Sequence, residues 1–268
     1  MQRRKSILLA TLVLSAGMAL VTGGSVAANA GTTGVTPSAI NPGGLAHLVG
    51  PTSDAVGALT STTSTNWSGY ADTSGKFTSV SASWVQPSGT CKSGDQYAAF
   101  WVGIDGYTSS TVEQTGSEVD CVGKTAEYYA WYEMYPGPSE NYSNTVRGGD
   151  HFTATVTWVS GDKFTLYIDD STEGWSHTTT ASLTSTPGRS SAEVIAEAPC
   201  CTNSGGILNL TDFGTVNFTG STANGEGVGT TSLSPVEINM TDSSGNLRDT
   251  CSSLVSLENF SCTWLRDN

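Results

Sequence analysis

Short runs rich in Val, Thr, Tyr, Trp and Phe alternate with Gly, Ser and Asp turns from residue 66 onward. The clearest runs cover residues 77–85, 97–104, 128–135, 151–159, 163–169 and 214–218. Alternation of this kind is typical of half-buried strands, and no amphipathic helix of 12 or more residues is evident. A sheet with one apolar face needs a second layer to cover it. The pattern therefore predicts an all-β, antiparallel two-sheet β-sandwich in one domain, residues 65–268.

Two of these runs, and a further one at residues 191–197, place aromatic and acidic residues on a single face when they are read as alternating strands. The residues on that face are Tyr129, Trp131, Glu133 and Tyr135 from one run, Trp101, Gly103 and Asp105 from another, and Glu193, Ile195 and Glu197 from a third. The opposite faces are core-like in two runs, with Phe100, Val102 and Ile104 in one and Ala192, Val194 and Ala196 in the other. Two interpretations remain open, a solvated outer face or a concave ligand-binding sheet.

Spacing along the strand limits what Glu193 and Glu197 can do together. Four residues on a strand span about 13 Å, at roughly 3.3 Å per residue. The two carboxyl groups therefore cannot share one water molecule. If one of them is catalytic, its partner must come from a neighbouring strand.

The N-terminal 64 residues differ from the rest in composition. Residues 1–30 combine Arg3, Arg4 and Lys5 with an apolar run and an Ala-Asn-Ala site, which predicts a cleaved signal peptide over a retained membrane helix. Residues 31–64 are rich in Gly, Ser, Thr and Pro, as in a flexible linker or a propeptide. We therefore expect a secreted, extracellular protein that has no membrane association after signal cleavage.

The net charge of the chain limits the kinds of molecule that it can bind. The chain of 268 residues carries 11 Lys and Arg against 24 Asp and Glu, a formal net charge of −13. Such a chain lacks the basic surface that neutralises phosphates, so nucleic acid is excluded as a partner. Because basic residues are few, the protein also gains little positive charge in acid, which suits an acidic working environment.

Six cysteines in an exported chain predict disulfides. Cys91 with Cys121 and Cys251 with Cys262 are plausible local closures. The adjacent Cys200 and Cys201 either bridge each other or pair with distant partners. A metal site is disfavoured, because no Cys-x-x-Cys occurs and the chain has only three His.

Because the sequence lacks other common catalytic motifs, carboxylate groups are the remaining candidates for catalysis. No Gly-x-Ser-x-Gly elbow, His-Glu-x-x-His or P-loop motif is present, and neither His151 nor His177 has a catalytic motif around it. Paired carboxylates would suit glycoside hydrolysis. One carboxylate with an amide would suit acyl transfer through a stabilised oxyanion.

Five motifs, in order, resemble those of the glutamic peptidases (eqolisins, peptidase family G1). They are Asn-Trp-Ser-Gly-Tyr-Ala at 66–71, Trp-Val-Gly-Ile-Asp-Gly at 101–106, Gln-Thr-Gly at 114–116, Ala-Trp-Tyr-Glu-Met-Tyr-Pro at 130–136 and Ala-Glu-Val-Ile-Ala-Glu at 192–197. The resemblance covers residues 65–268 and identifies the chain as a secreted, bacterial-type member. It implies a β-sandwich of the concanavalin-like or jelly-roll type and a secreted, pepstatin-insensitive acid endopeptidase made as a precursor.

The resemblance also assigns roles to residues. By motif, the catalytic pair is Gln114 and Glu197. The expected substrate-binding residues around the cleft are Trp67, Trp101, Asp105, Trp131, Glu133 and Glu193. No metal or organic cofactor is implied, and we expect a monomer that acts on protein or peptide substrates.

The sequence departs from the family pattern at four places. The expected catalytic pair is intact, so these departures bear on substrate specificity and pH dependence. Val194 stands in place of the usual Trp, Tyr129 and Glu118 each in place of an Asp, and Ala198-Pro199-Cys200 in place of an acidic stretch.

The mechanism expected from the sequence uses ionised Glu197 to take a proton from water while the Gln114 amide donates to the oxyanion. Glu197 would then ionise near the ordinary carboxyl pKa of about 4.3. Two other functions stay open at this point. One is a carbohydrate-binding or glycoside-hydrolysing sandwich, and the other is a catalytically inactive adhesive sandwich.

Overall fold

The computed structural model describes residues 48–49, 60–92, 94–199 and 207–268. The expected signal peptide, most of the expected leader, and Cys200 and Cys201 lie outside these residues. The described part is built of strands, with one short 3-10 helix at Thr231–Leu233. Among these residues there is no helix with the length and apolar character needed to cross a membrane.

The described residues form seventeen strands. They are β1 (Leu48–Val49), β2 (Thr60–Ser64), β3 (Trp67–Asp72), β4 (Ser79–Val85), β5 (Gln96–Ile104), β6 (Val112–Val122), β7 (Thr125–Tyr135), β8 (Glu140–Asn141), β9 (His151–Ser160), β10 (Lys163–Asp170), β11 (Trp175–Ser182), β12 (Ala192–Glu197), β13 (Thr215–Ala223), β14 (Glu226–Gly227), β15 (Pro235–Thr241), β16 (Leu247–Cys251) and β17 (Phe260–Trp264).

The strands form two layers. The first sheet runs β8-β7-β6-β5-β12-β3-β15-β2-β1, and the second runs β11-β10-β9-β4-β13-β17-β16, with β14 paired to β13. Strand β16 also pairs with β15 and so joins the two sheets. All pairs are antiparallel except β15 with β2. The predicted antiparallel sandwich is confirmed.

The core fills the space between the sheets. Strand β5 contributes Phe100, Val102 and Ile104 to it, as the alternation predicted. The second sheet contributes Trp84 and Phe152, whose ring centroids lie 5.9 Å apart in a stacked arrangement. Each fully buried aromatic or large aliphatic side chain contributes about 1.5–3 kcal/mol through the hydrophobic effect.

The other face of the first sheet is buried too. A second apolar cluster lies there, centred on Trp67, Trp101 and Trp131, none of which is more than 1% exposed. Trp67 and Trp101 pack edge to face with centroids 4.9 Å apart. The interpretation of this face as a solvated outer surface is therefore wrong, because its aromatic residues are packed against one another.

Two of the expected disulfides are present. Cys91 is bonded to Cys121 and Cys251 to Cys262. The first ties the loop before β5 to the end of β6, and the second ties β16 to β17.

Strand β2 lies before the expected domain boundary at residue 65. It pairs in parallel with β15, from Thr60 opposite Val236 to Ser64 opposite Met240. Ser64 is fully buried. The last five residues of the expected leader are therefore an integral strand of the first sheet.

Candidate active site

Glu197 ends the central strand β12, which lies between β3 and β5. Its side chain is buried, and both carboxyl oxygens accept hydrogen bonds. Asn66 Nδ2 donates to Oε1 at 3.2 Å, and Trp101 Nε1 donates to Oε2 at 2.8 Å. The Trp67 N–H also favours the charged form of this group, although it does not reach hydrogen-bond geometry. Among the described residues, the hydrogen-bond partners of Glu197 are thus two N–H donors and no acceptor.

Gln114 lies on β6 and is held from β7. Its Nε2 donates to Glu133 Oε2 at 2.7 Å, across a register that sets the two residues directly opposite each other. Its Oε1 is buried and makes no hydrogen bond within the described residues. One amide hydrogen and the carbonyl oxygen of Gln114 are therefore left for a substrate or a water molecule.

Glu133 connects the two halves of the expected catalytic pair. It hydrogen-bonds Gln114, and its charge acts directly on Glu197. A like charge of this kind raises the pKa of the carboxyl group on which it acts. We call Gln114, Glu133 and Glu197 the catalytic group, a name that follows the roles expected of Gln114 and Glu197. The indoles of Trp67, Trp101 and Trp131 belong to the same buried face.

Burial dominates the electrostatics of this group. It raises the pKa of Glu197 well above 4.5, with a further rise from Glu133 and opposing effects from the N–H donors. Burial likewise raises the pKa of Glu133 to about 8. The expectation that Glu197 ionises near pH 4.3 is therefore wrong, because a buried carboxylate without a cation favours its neutral form. In acid this carboxyl group carries its proton.

Glu193 and Asp105 belong to a different group of acids. Glu193 is fully buried, and the charges of Asp105, Glu113 and Asp72 act on it. The backbone N–H groups of Arg189 and Ser190 donate to Asp105 at 2.6 and 2.8 Å, so this side chain fixes the loop before β12. We call Asp72, Asp105, Glu113 and Glu193 the second acid group. A substrate-binding role for Asp105 or Glu193 stays a prediction.

The strand register places the two glutamates of β12 opposite different residues of the neighbouring strands. Glu193 lies opposite Gly103, which in turn lies opposite Gln114, whereas Glu197 lies opposite Ala99 and, beyond it, Glu118. Glu197 is instead connected to Gln114 through Glu133. Both glutamates are on strand β12, so their separation of about 13 Å along the strand is as expected.

Gly103 provides space beside Gln114. A Cβ at this position would lie 2.8 Å from the Trp101 ring and 3.2 Å from Gln114 Cβ. We expect Gly103→Ala to displace the Trp101 indole from Glu197 and to lower kcat/KM on a peptide substrate by at least tenfold. Steady-state kinetics at the pH optimum tests this, with circular dichroism as the check on folding. An alanine variant with unchanged kinetics would show that the Trp101 donor does not depend on this space.

Sequence reasoning missed three participants. Asn66 precedes the Trp that was singled out and is the donor to Glu197, and its position inside the first motif was the available signal. Asp72 and Glu113 complete the second acid group; Asp72 is the last residue of β3, Glu113 is the second residue of β6, and neither was singled out by a motif.

One set of side chains in the described residues has the proximity of metal ligands. It consists of Asp249 with Cys251 and Cys262. Those two sulfur atoms are joined in a disulfide, so they are not thiolate ligands.

Comparison with known proteins places this geometry in a family. The model of the peptidase A4 family matches residues 65–264. Aspergillopepsin-2 of Aspergillus niger is 30% identical over 200 residues, which is 65% of this chain and 70% of that protein. Scytalidopepsin B of Scytalidium lignicola is 36% identical over 121 residues, 44% of this chain and 45% of that protein.

Solved structures agree. Scytalido-glutamic peptidase with a transition state analog inhibitor superposes with a TM-score of 0.65 at 27% identity, covering 75% of this chain and 98% of that one. Aspergilloglutamic peptidase from Aspergillus niger gives a TM-score of 0.56 at 28% identity, covering 63% and 99%. The match spans the strands that carry the catalytic group, and the chain belongs to the peptidase A4 family, the glutamic peptidases or eqolisins.

Proposed function

We propose that the protein is an acid endopeptidase in which Glu197 transfers the protons and Gln114 stabilises the oxyanion. Membership of the glutamic peptidases supports hydrolysis of peptide bonds, and the contacts of Glu197 support its role most directly. Both its oxygens accept N–H groups, and none of its hydrogen-bond partners among the described residues is an acceptor for the proton of the neutral acid. That O–H is left free for the substrate.

The first step forms a tetrahedral intermediate. The Glu197 O–H protonates the scissile carbonyl oxygen while water attacks the carbonyl carbon and gives a proton to the other carboxyl oxygen. The free N–H of Gln114 donates to the carbonyl oxygen as charge develops on it. Because Glu197 gives one proton and receives another, the net charge of the site is the same before and after the step, as burial favours.

The second step breaks the C–N bond. Glu197 protonates the amide nitrogen and takes a proton from one hydroxyl of the intermediate, which leaves a carboxylic acid and an amine. Acid then protonates the released amine and prevents the reverse reaction. Gln114 does not titrate, and Glu133 holds it in place, so the oxyanion site is the same at every acid pH.

Peptide substrates follow from the relatives. Structures of scytalido-glutamic peptidase contain a peptide-based transition state analog, and a related structure contains the tripeptide Ala-Ile-His. We propose that the tryptophan-lined face of the first sheet takes an extended peptide in the same way, and that the exported protein acts as a monomer. The named relatives are peptidases, so they favour this function over the carbohydrate alternative.

The pH profile tests the proposal. We expect cleavage of denatured haemoglobin or casein below pH 5, unaffected by pepstatin. We expect kcat/KM on a peptide to hold between pH 5 and 3, because the reactive Glu197 is already protonated there. A tenfold fall in kcat/KM for each pH unit below pH 4 would show that ionised Glu197 is the reactive form. Absence of cleavage between pH 2 and 5 would contradict the function itself.

A further inference from the structure

The hydroxyl of Ser64 is the centre of a small buried hydrogen-bond network. Its Oγ donates to Asn66 Oδ1 at 3.1 Å and accepts the backbone N–H groups of Asn66 at 3.3 Å and Trp67 at 3.2 Å. Ser64 and Asn66 are both fully buried. Every hydrogen-bonding position of this hydroxyl is thus used within three residues of the chain.

This network decides which way the Asn66 amide faces. The two ends of an amide have nearly the same shape but opposite hydrogen-bonding character. Because Ser64 donates to Oδ1, the Nδ2 end is the one directed at Glu197 Oε1. The backbone of Asn66 is fixed separately, since its carbonyl oxygen accepts the Ala198 N–H at 2.8 Å.

We propose that Ser64 is a positioning residue for the catalytic acid, acting through the amide of Asn66. The proposal rests on the role of Glu197 proposed above. With Ser64 in place, Asn66 is a donor only, and the Glu197 proton stays available to the substrate. Without the hydroxyl, the amide is free to rotate and present Oδ1, an acceptor that competes for that same proton.

The position of Ser64 gives this role a consequence for maturation. Ser64 is the last residue of β2, inside the segment that composition assigned to the leader. An activating cut after residue 64 would remove the hydroxyl. The cut that produces full activity therefore lies before Ser64.

Kinetics of full-length variants, each matured in the same way, test the proposal. We expect Ser64→Ala to lower kcat by about tenfold, the worth of one hydrogen bond of about 1.4 kcal/mol, with KM unchanged. Asn66→Ala should lower kcat at least as much. In the double variant the serine change should cost no further activity, because its route to Glu197 is already lost. Ser64→Thr, which keeps the hydroxyl, should restore kcat.

A matched control separates positioning from folding. Ser117 is also fully buried, and its Oγ accepts the Trp84 N–H at 2.9 Å on the core side of β6. Ser117→Ala should lower the melting temperature without moving kcat. Two results would contradict the positioning role of Ser64. One is a Ser64→Ala variant that keeps full kcat. The other is a fall in kcat by the same factor whether Asn66 is present or replaced. An active Glu197→Gln variant would instead overturn the proposed function, so the two failures are distinguishable.

Discussion

Raising the pH from 4 to 8 is expected to unfold the protein. Nine buried carboxyl groups of the described residues have pKa values raised chiefly by burial: Asp72, Glu113, Glu118, Asp120, Glu133, Asp170, Glu193, Glu197 and Asp249. Burial raises the pKa of Asp120 to about 7 and that of Glu113 to about 9. In the unfolded chain the same groups ionise near pH 4.

The sign of the effect follows from proton counting. Between pH 4 and the raised values, the native state holds protons that the unfolded state has released. The free energy of unfolding therefore falls as pH rises, by about 1.4 kcal/mol per pH unit for each such group. Two independent groups over three pH units already amount to about 8 kcal/mol, within the 5–15 kcal/mol typical of a whole domain. The stabilisation is fully present below pH 4 and is lost towards pH 8.

Circular dichroism against pH, with urea melts at each pH, measures this effect. Asp72→Asn mimics the protonated form of a buried acid outside the catalytic group, and we expect it to move the unfolding midpoint to higher pH. Asp162→Asn is the matched control, because Asp162 is exposed in a turn. Stability that stays constant or rises from pH 4 to 8 would contradict the assignment of these buried acids as neutral.

The largest loss of activity is expected from Glu197→Gln. An amide has the shape of the neutral acid but cannot pass a proton, and removal of a positioned acid or base costs about 10²–10⁴-fold. Gln114→Ala should cost about 10²–10³-fold by removing the oxyanion donor. Gln114→Glu should also be poor, because it sets another carboxyl group against Glu133.

Glu193→Gln is the matched control, a buried glutamate changed on the same strand. It should retain most of the activity that Glu197→Gln loses. The measurement is kcat/KM at the pH optimum for each variant with native circular dichroism. If Glu193→Gln were inactive and Glu197→Gln active, Glu193 would be the catalytic residue. The register would then explain the result, because Glu193 lies opposite Gly103, which lies opposite Gln114.

Alternation along the strands predicted the fold and the faces, because a period of two is a local property of an extended chain. It placed Trp101, Trp131 and Glu197 on one face without any knowledge of pairing. Register and curvature depend on contacts distant in sequence. The approach of Glu133 to Glu197, three strands away, could therefore not be predicted, although the motif order had named both residues.

The raised pKa of Glu197 could not be predicted from the sequence, because burial is a property of the folded chain. The second acid group could not be predicted either, since Asp72 and Glu113 are far apart in sequence and follow no common pattern. The parallel pairing of β2 was also missed, because residues 60–64 are polar and lack strand alternation.

The burial of Asn66 bears on the choice of host for producing the enzyme. Asn66-Trp67-Ser68 is an acceptor sequence for N-glycosylation, which attaches sugar to the asparagine nitrogen. That nitrogen faces Glu197 inside the first sheet, where there is no room for a glycan. A host that glycosylates the nascent chain there would release a fraction of molecules unable to close the sheet, whereas a host without this pathway would yield uniform enzyme.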